Sequence, residues 1–231
     1  HRIARRQRQM CIRDRISGAG ESKIVVQGVK KLEASRWNVL FDRIEAGTYL
    51  VAGAITNGHV KVNKIDPQTI SIVSEKLRDM GVKVNIGSDF VEVDATSSDL
   101  KAQHIFTEPF PGFPTDMQAQ FMTLNAIASG ECIIEETVFE NRFQHVNQLR
   151  KMGADITLKR NKASVSGVSN LVGANVSASD LRASASLVLA GLVGRNKTEI
   201  NDIYHIDRGY ECIEEKLNKL GAEIIREPVV Y

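Results

Sequence analysis

Asp116 stands in GFPTDMQAQF (112–121), where a proline-bounded turn runs into a helical pattern. Its carboxylate falls in the first turn of that helix, beside amides that lack intrahelical acceptors. Thr115 followed by Gln118 has capping-box spacing, so Thr115 is the expected N-cap. A carboxylate placed there either complements the helix dipole, as most first-turn acids do, or belongs to a site that the rest of the chain completes. Ser179, Asp180 and Arg182 open a second helical stretch, and Asp42 with Glu45 opens a third. If the three helix starts converge, their amides favour an anionic ligand. Arg182 and Arg208 would add fixed charge suited to carboxylate or phosphate. Taken singly, Arg43, Arg142, Arg182 and Arg208 are ordinary salt-bridge partners of nearby acids; convergence makes them a site.

The elements that must position these residues recur. KLRDMGVKV (76–84), QLRKMGADI (148–156) and KLNKLGAEI (216–224) each end an amphipathic helix on a glycine, and Gly81, Gly153 and Gly221 lie 72 and 68 residues apart. Glycine there is the expected left-handed C-cap, with a strand following. KIVVQGVKKL (23–32), FVEVDATSSDL (90–100) and ASVSGVSNL (163–171) each place a strand and turn before a leucine, with Leu32, Leu100 and Leu171 spaced 68 and 71 apart. A helix running into glycine recurs at 42–58, 115–130 and 179–194. Three signatures that keep order and period predict three repeats, about 23–88, 89–161 and 162–226.

The helix over Leu181–Val193 is apolar nearly all round and rich in small residues, which predicts a buried helix with close neighbours. The glycine-terminated helices carry a narrow stripe, such as Ile213, Leu217 and Leu220, and belong on the surface. The expected fold class is α/β (α+β): an inside-out barrel of three pseudo-threefold repeats, central helices surrounded by sheets. Segments 82–93 and 155–166 read as hairpins around Gly87-Ser88 and Arg160-Asn161. The hairpin around Ile16–Val26 lacks the helix that precedes the other two, and the expected strand Ala222–Arg226 lacks a hairpin partner. The expectation is that a preceding domain of the same repeat is missing, leaving a strand edge exposed.

Composition is that of a soluble globular chain: 231 residues, 42% apolar and 25% charged. The formal charge of +2 comes from residues 1–15, which hold six arginines and one aspartate; the rest sums to −3. Nucleic-acid binding is therefore not expected. The leader 1–15 reads as non-native or disordered and is set apart from the domain at 16–231. No apolar run is long enough to span a membrane, and Cys11, Cys132 and Cys212 suit neither disulfides nor zinc, so no cofactor or metal and a cytoplasmic location are expected. Cys132 is placed at the start of a strand and Cys212 on an amphipathic helix, both as packing residues.

FPTDMQAQF (113–121), ETVFENRF (136–143), DLRASASLVLAG (180–191) and YHIDRGYE (204–211) closely resemble the UDP-N-acetylglucosamine enolpyruvyl transferase family, over about Ile16 to Ile225. The resemblance implies a two-domain enzyme of peptidoglycan synthesis, monomeric at full length, with each domain an inside-out barrel. It implies transfer of enolpyruvyl from phosphoenolpyruvate to the 3′-hydroxyl of UDP-N-acetylglucosamine by addition and elimination, with release of phosphate. The family's roles fall on Asp116 as general base, on Val138 as a backbone contact to the nucleotide sugar, on Asp180 and Arg182 at the reaction centre and on Arg208 at phosphoenolpyruvate. Arg142 of the same motif is a weaker assignment than these, with a structural role as its alternative. Phe41 replaces the proline usual before DRIE. The family's proton-donating cysteine, its lysine-asparagine pair and a further arginine fall in the portion absent here, so this chain alone is expected to be inactive. A shikimate-phosphate enolpyruvyl transferase, a non-catalytic nucleotide-sugar-binding paralogue and a purely structural repeat module are the competing expectations.

Overall fold

The computed structural model describes residues 16–18, 22–28, 31, 34, 36 and 38–227. The basic leader, Cys11 and Leu32 lie outside them. The chain divides into two units, residues 1–42 and 43–231. In the first, β1 (Ile16–Ser17) pairs antiparallel with β2 (Val25–Val26), at the position of the expected hairpin.

The second unit starts with α1 (Arg43–Ile55) and β3 (His59–Asn63), then α2 (Ser71–Asp79), β4 (Lys83–Ile86) and β5 (Phe90–Asp94). These strands form an antiparallel sheet in the order β3-β5-β4. Next come β6 (Ile105–Phe106), α3 (Gln118–Ile127), β7 (Glu131–Glu135), α4 (Val146–Lys151), β8 (Asp155–Lys159) and β9 (Lys162–Ser166). They build a sheet ordered β6-β7-β9-β8, parallel only between β6 and β7. Last are β10 (Asn175–Ser177), α5 (Leu181–Val193), β11 (Glu199–Asn201) and α6 (Ile213–Lys219), with β10 and β11 parallel across the α5 crossover. Both expected hairpins form, and Arg160 takes a left-handed φ of 56° in the second.

Helices α1, α3 and α5 pack on one another. Leu50, Phe121, Leu124 and Leu187 are fully buried there, as the all-round apolar pattern requires. In α1, a Cβ on Gly53 would sit 2.9 Å from both Val60 and Val93, so glycine is what lets the helix approach the β3-β5-β4 sheet. Part of the polar surface that enters this core is paired: Thr48 Oγ1 lies 2.8 Å from the Tyr210 hydroxyl and accepts from Gln120 Nε2 at 3.1 Å. That cluster ties α1 and α3 to the segment leading into α6. The Gln118 side-chain amide and Gln120 Oε1, in contrast, are buried with no hydrogen-bond partner among the described residues.

The amphipathic helices lie outside, with Val73 and Leu77 of α2 and Ile213 and Leu217 of α6 buried. Gly81, Gly153 and Gly221 have φ of 93°, 88° and 101°, the left-handed caps expected from sequence. Three details differ. Leu220 is 54% exposed and not part of the buried stripe. Residues 222–226 form no strand: the Asn218 amide brackets Ile224, donating to its carbonyl and accepting from its N–H at 2.8 Å each, so a side chain takes the bonds a ladder would supply. Cys212 precedes α6 with φ of 45° and is exposed, not on the helix. Cys132 is buried in β7 as expected, and burial pushes its thiol up to about 12.

Candidate active site

The turn before α3 is fixed from behind. Phe113 is buried with its ring edge-on to Phe121 at 5.0 Å, and Pro114 holds an extended backbone. The chain then makes a short 3-10 turn, Thr115–Met117, before α3 begins. On the far side, Gly47 of α1 leaves room for the Met117 side chain. Asp116 is thus held at a helix start, as expected, on a turn anchored by aromatic packing.

Thr115 is not the cap. Pro114 takes that position, and the Thr115 hydroxyl donates instead to Glu136 Oε2 at 2.8 Å. The hydroxyl gives its one proton to a carboxylate brought in by the next segment, and its oxygen accepts from Arg142 Nε at 3.2 Å in place of a helix amide.

Two arginines converge on one atom. Arg142 Nη2 and Arg182 Nε each lie 3.2 Å from Asp116 Oδ1. Both guanidinium side chains are largely buried, at 14% and 15% exposure, while the Asp116 side chain keeps 37%. Among the described residues no hydrogen bond is made to Asp116 Oδ2. Arg142 also donates from Nε to Thr115 Oγ1 at 3.2 Å, and its guanidinium lies 4.5 Å from the Phe139 ring centroid.

Arg182 is delivered by the α5 N-terminus. Asp180 caps that helix, its Oδ1 accepting from the Arg182 and Ala183 amides at 2.8 and 3.0 Å. One carboxylate therefore sets the direction of the helix turn that carries the arginine. His145, wholly buried between these elements, has a pKa lowered to about 4. Desolvation is the main cause; the nearby Asp180 carboxylate and a hydrogen bond to the Arg142 backbone act the other way.

The starts of α3 and α5 thus meet, bringing together Asp116, Asp180 and Arg182 with Arg142. At the start of α1, Glu45 accepts from Lys216 at 2.7 Å and Arg43 lies 5.7 Å from the Phe110 ring. Val138 is 44% exposed, and its N–H is committed to Glu136 Oε1 at 2.9 Å. Arg208 ends the short helix Ile203–Arg208, exposed; no ion pair or hydrogen bond joins it to the Asp116 cluster. Among the described residues no group of three or more His, Cys, Asp or Glu could hold a metal ion, and no helix is long and apolar enough to cross a membrane.

Sequence reasoning missed Glu136 and His145 and undervalued Arg142. Glu136 and Arg142 lie within ETVFENRF, so that motif held the signal; an isolated histidine at 145 gave none.

The chain is 57% identical over 212 residues to UDP-N-acetylglucosamine 1-carboxyvinyltransferases from two strains of Coxiella burnetii, matching 92% of this chain and 49% of each relative. It therefore spans about half the length of the curated relatives it matches. The crystal structure of the enolpyruvyl transferase NikO from Streptomyces tendae superposes with a TM-score of 0.78 at 28% identity, covering 90% of this chain and 50% of that one. An EPSP synthase from Acinetobacter baumannii, 20% identical, shares the fold with a TM-score of 0.71 over 97% of this chain and 55% of its own. A family model matches residues 10–217 and so takes in Asp116, Arg142, Asp180 and Arg182 together; by that match the chain belongs to the EPSP synthase (3-phosphoshikimate 1-carboxyvinyltransferase) family, the enolpyruvyl transferases.

Proposed function

We propose that this chain is the carboxyl-terminal domain of a UDP-N-acetylglucosamine enolpyruvyl transferase, acting within a protein of its relatives' length. The observation that carries the proposal is Asp116, held by two arginines through Oδ1 with Oδ2 unclaimed. In this reading Oδ2 takes the proton of the sugar 3′-hydroxyl as its oxygen adds to C2 of phosphoenolpyruvate, and C3 gains a proton from a donor outside this chain. The tetrahedral adduct then loses phosphate and a C3 proton, restoring the enol ether. Arg142 and Arg182 keep the carboxylate aimed, and the α5 N-terminus adds positive potential where charge develops. Val138 would meet the nucleotide sugar through its carbonyl, and Arg208 would reach phosphoenolpyruvate from its exposed position when a second domain closes. The relatives' substrate and their 57% identity favour the nucleotide sugar over shikimate phosphate, the acceptor in the family model's name.

The three-repeat reading of the fold belongs to the same proposal. It is supported by the recurrence of a helix start, a buried helix and a left-handed glycine in each third, and by the mutual packing of α1, α3 and α5. The proposal extends to a role in peptidoglycan synthesis, as a cytoplasmic enzyme that is monomeric at full length.

Phosphate release tests the function. The full-length protein should release phosphate from phosphoenolpyruvate with UDP-N-acetylglucosamine and not with shikimate 3-phosphate, whereas residues 16–231 alone should release none. Release with shikimate 3-phosphate only would overturn the acceptor assignment.

A further inference from the structure

Glu136 is 5% exposed, and four donors converge on its carboxylate. Oε1 accepts from Thr107 Oγ1 at 2.8 Å, from Val138 N at 2.9 Å and from Phe139 N at 3.0 Å; Oε2 accepts from Thr115 Oγ1 at 2.8 Å. No basic side chain contacts it among the described residues. A buried carboxylate without a counter-ion persists only where hydrogen bonds replace its water. Its own backbone is held by Asn161, whose carbonyl accepts the Glu136 N–H at 2.9 Å and whose Nδ2 donates to the Glu136 carbonyl at 3.2 Å.

We infer that Glu136 is a positioning residue, which fixes the 137–142 loop and turns Arg142 toward Asp116. Two links carry the effect. The successive amides of Val138 and Phe139 set the path of the loop as it leaves β7. The Thr115 hydroxyl then relays polarity: Arg142 Nε can only donate, so Thr115 Oγ1 must accept from it and send its single proton to Glu136. That relay needs an acceptor at position 136. Glutamine, of nearly the same shape, leaves a donor stranded in either amide orientation, against the loop amides or against Thr115. The catalytic consequence rests on the function proposed above; the loop geometry does not.

The full-length protein carrying Glu136→Gln should show amide exchange at Val138 and Phe139 faster by about tenfold or more, the order set by losing a buried acceptor, with β7 and β9 unchanged. Its kcat for phosphate release should fall by a similar factor, and adding Glu136→Gln to Arg142→Ala should lower kcat little further. Thr115→Val, which cuts only the relay, should reduce kcat while leaving loop exchange as in the wild type, and it serves if the glutamine variant does not fold. Unchanged exchange in Glu136→Gln overturns the inference, as do faster exchange with undiminished kcat or additive losses with Arg142→Ala. A wild type that releases no phosphate overturns the proposed reaction instead, and exchange alone then decides the loop assignment.

Discussion

Arg142 spans from Thr115 to Asp116, placing Nε on the hydroxyl and Nη2 on the carboxylate, both at 3.2 Å. A guanidinium can do this because its donors form a rigid planar fork; an ammonium cannot hold two acceptors in that fixed relation. Arg142→Lys should therefore keep the charge and lose the alignment. The expected outcome is a kcat reduced about tenfold or more with KM for both substrates little changed, because only the placement of Oδ2 is disturbed. Steady-state phosphate release on the full-length variant checks it.

Asp116 itself separates function from stability. Its side chain is more than a third exposed, and its two ion pairs use one oxygen. Asp116→Asn keeps an acceptor for both arginines but cannot take a proton from a sugar hydroxyl. The melting temperature should stay within a few degrees of wild type, while kcat falls by about 10²–10⁴, the range of a positioned general base. A folded variant with normal turnover would reduce Asp116 to its helix-dipole role.

Much of this arrangement was legible before any coordinates. Gly81, Gly153 and Gly221 announced left-handed caps because few other residues tolerate that φ, and the α5 boundaries followed from an apolar stretch flanked by Asp180 and Gly194. Asp116 and Arg182 could be paired by assuming that equivalent helix starts face the same way. The errors fell where a side chain outside the local pattern took a local bond. Thr115 has the spacing of a cap, yet Glu136, twenty-one residues on, claims its proton. Ala222–Arg226 has strand composition, yet Asn218 satisfies its backbone. Short-range rules cannot rank such competitors, because the winner depends on which chain segments the fold brings together.

Asp180 has a structural duty that can be measured apart from any chemical one. Its Oδ1 satisfies two amides at the α5 start, so Asp180→Ala should cost about 1 kcal/mol, whereas Asp180→Asn should retain most of the cap. If the carboxylate charge also serves the reaction centre, Asp180→Asn should match wild type in urea unfolding and lose tenfold or more in kcat. Normal turnover in that variant would leave Asp180 as a cap alone.

His145 gives a pH signature. Buried and neutral, it has a folded pKa near 4 against 6.5 for the free side chain. Between those values the unfolded chain binds the extra proton, so stability rises with pH there. Its contribution is complete above pH 6.5 and is lost as pH falls toward 4, by at most about 3 kcal/mol. Half-buried carboxylates such as Glu92 and Asp94, held below the ordinary range by side-chain hydrogen bonds from Asn85 and Thr96, add their losses at lower pH. Urea unfolding from pH 7 to 4.5 should show declining stability in wild type and a flatter profile in His145→Asn, which keeps an amide donor for the Arg142 backbone but cannot be charged. An unchanged slope in that variant would place the proton uptake elsewhere. Because His145 sits beneath both the Arg142 loop and Asp180, its protonation should loosen the Asp116 pocket first, so transfer activity in the wild type is expected to decline at a higher pH than global unfolding.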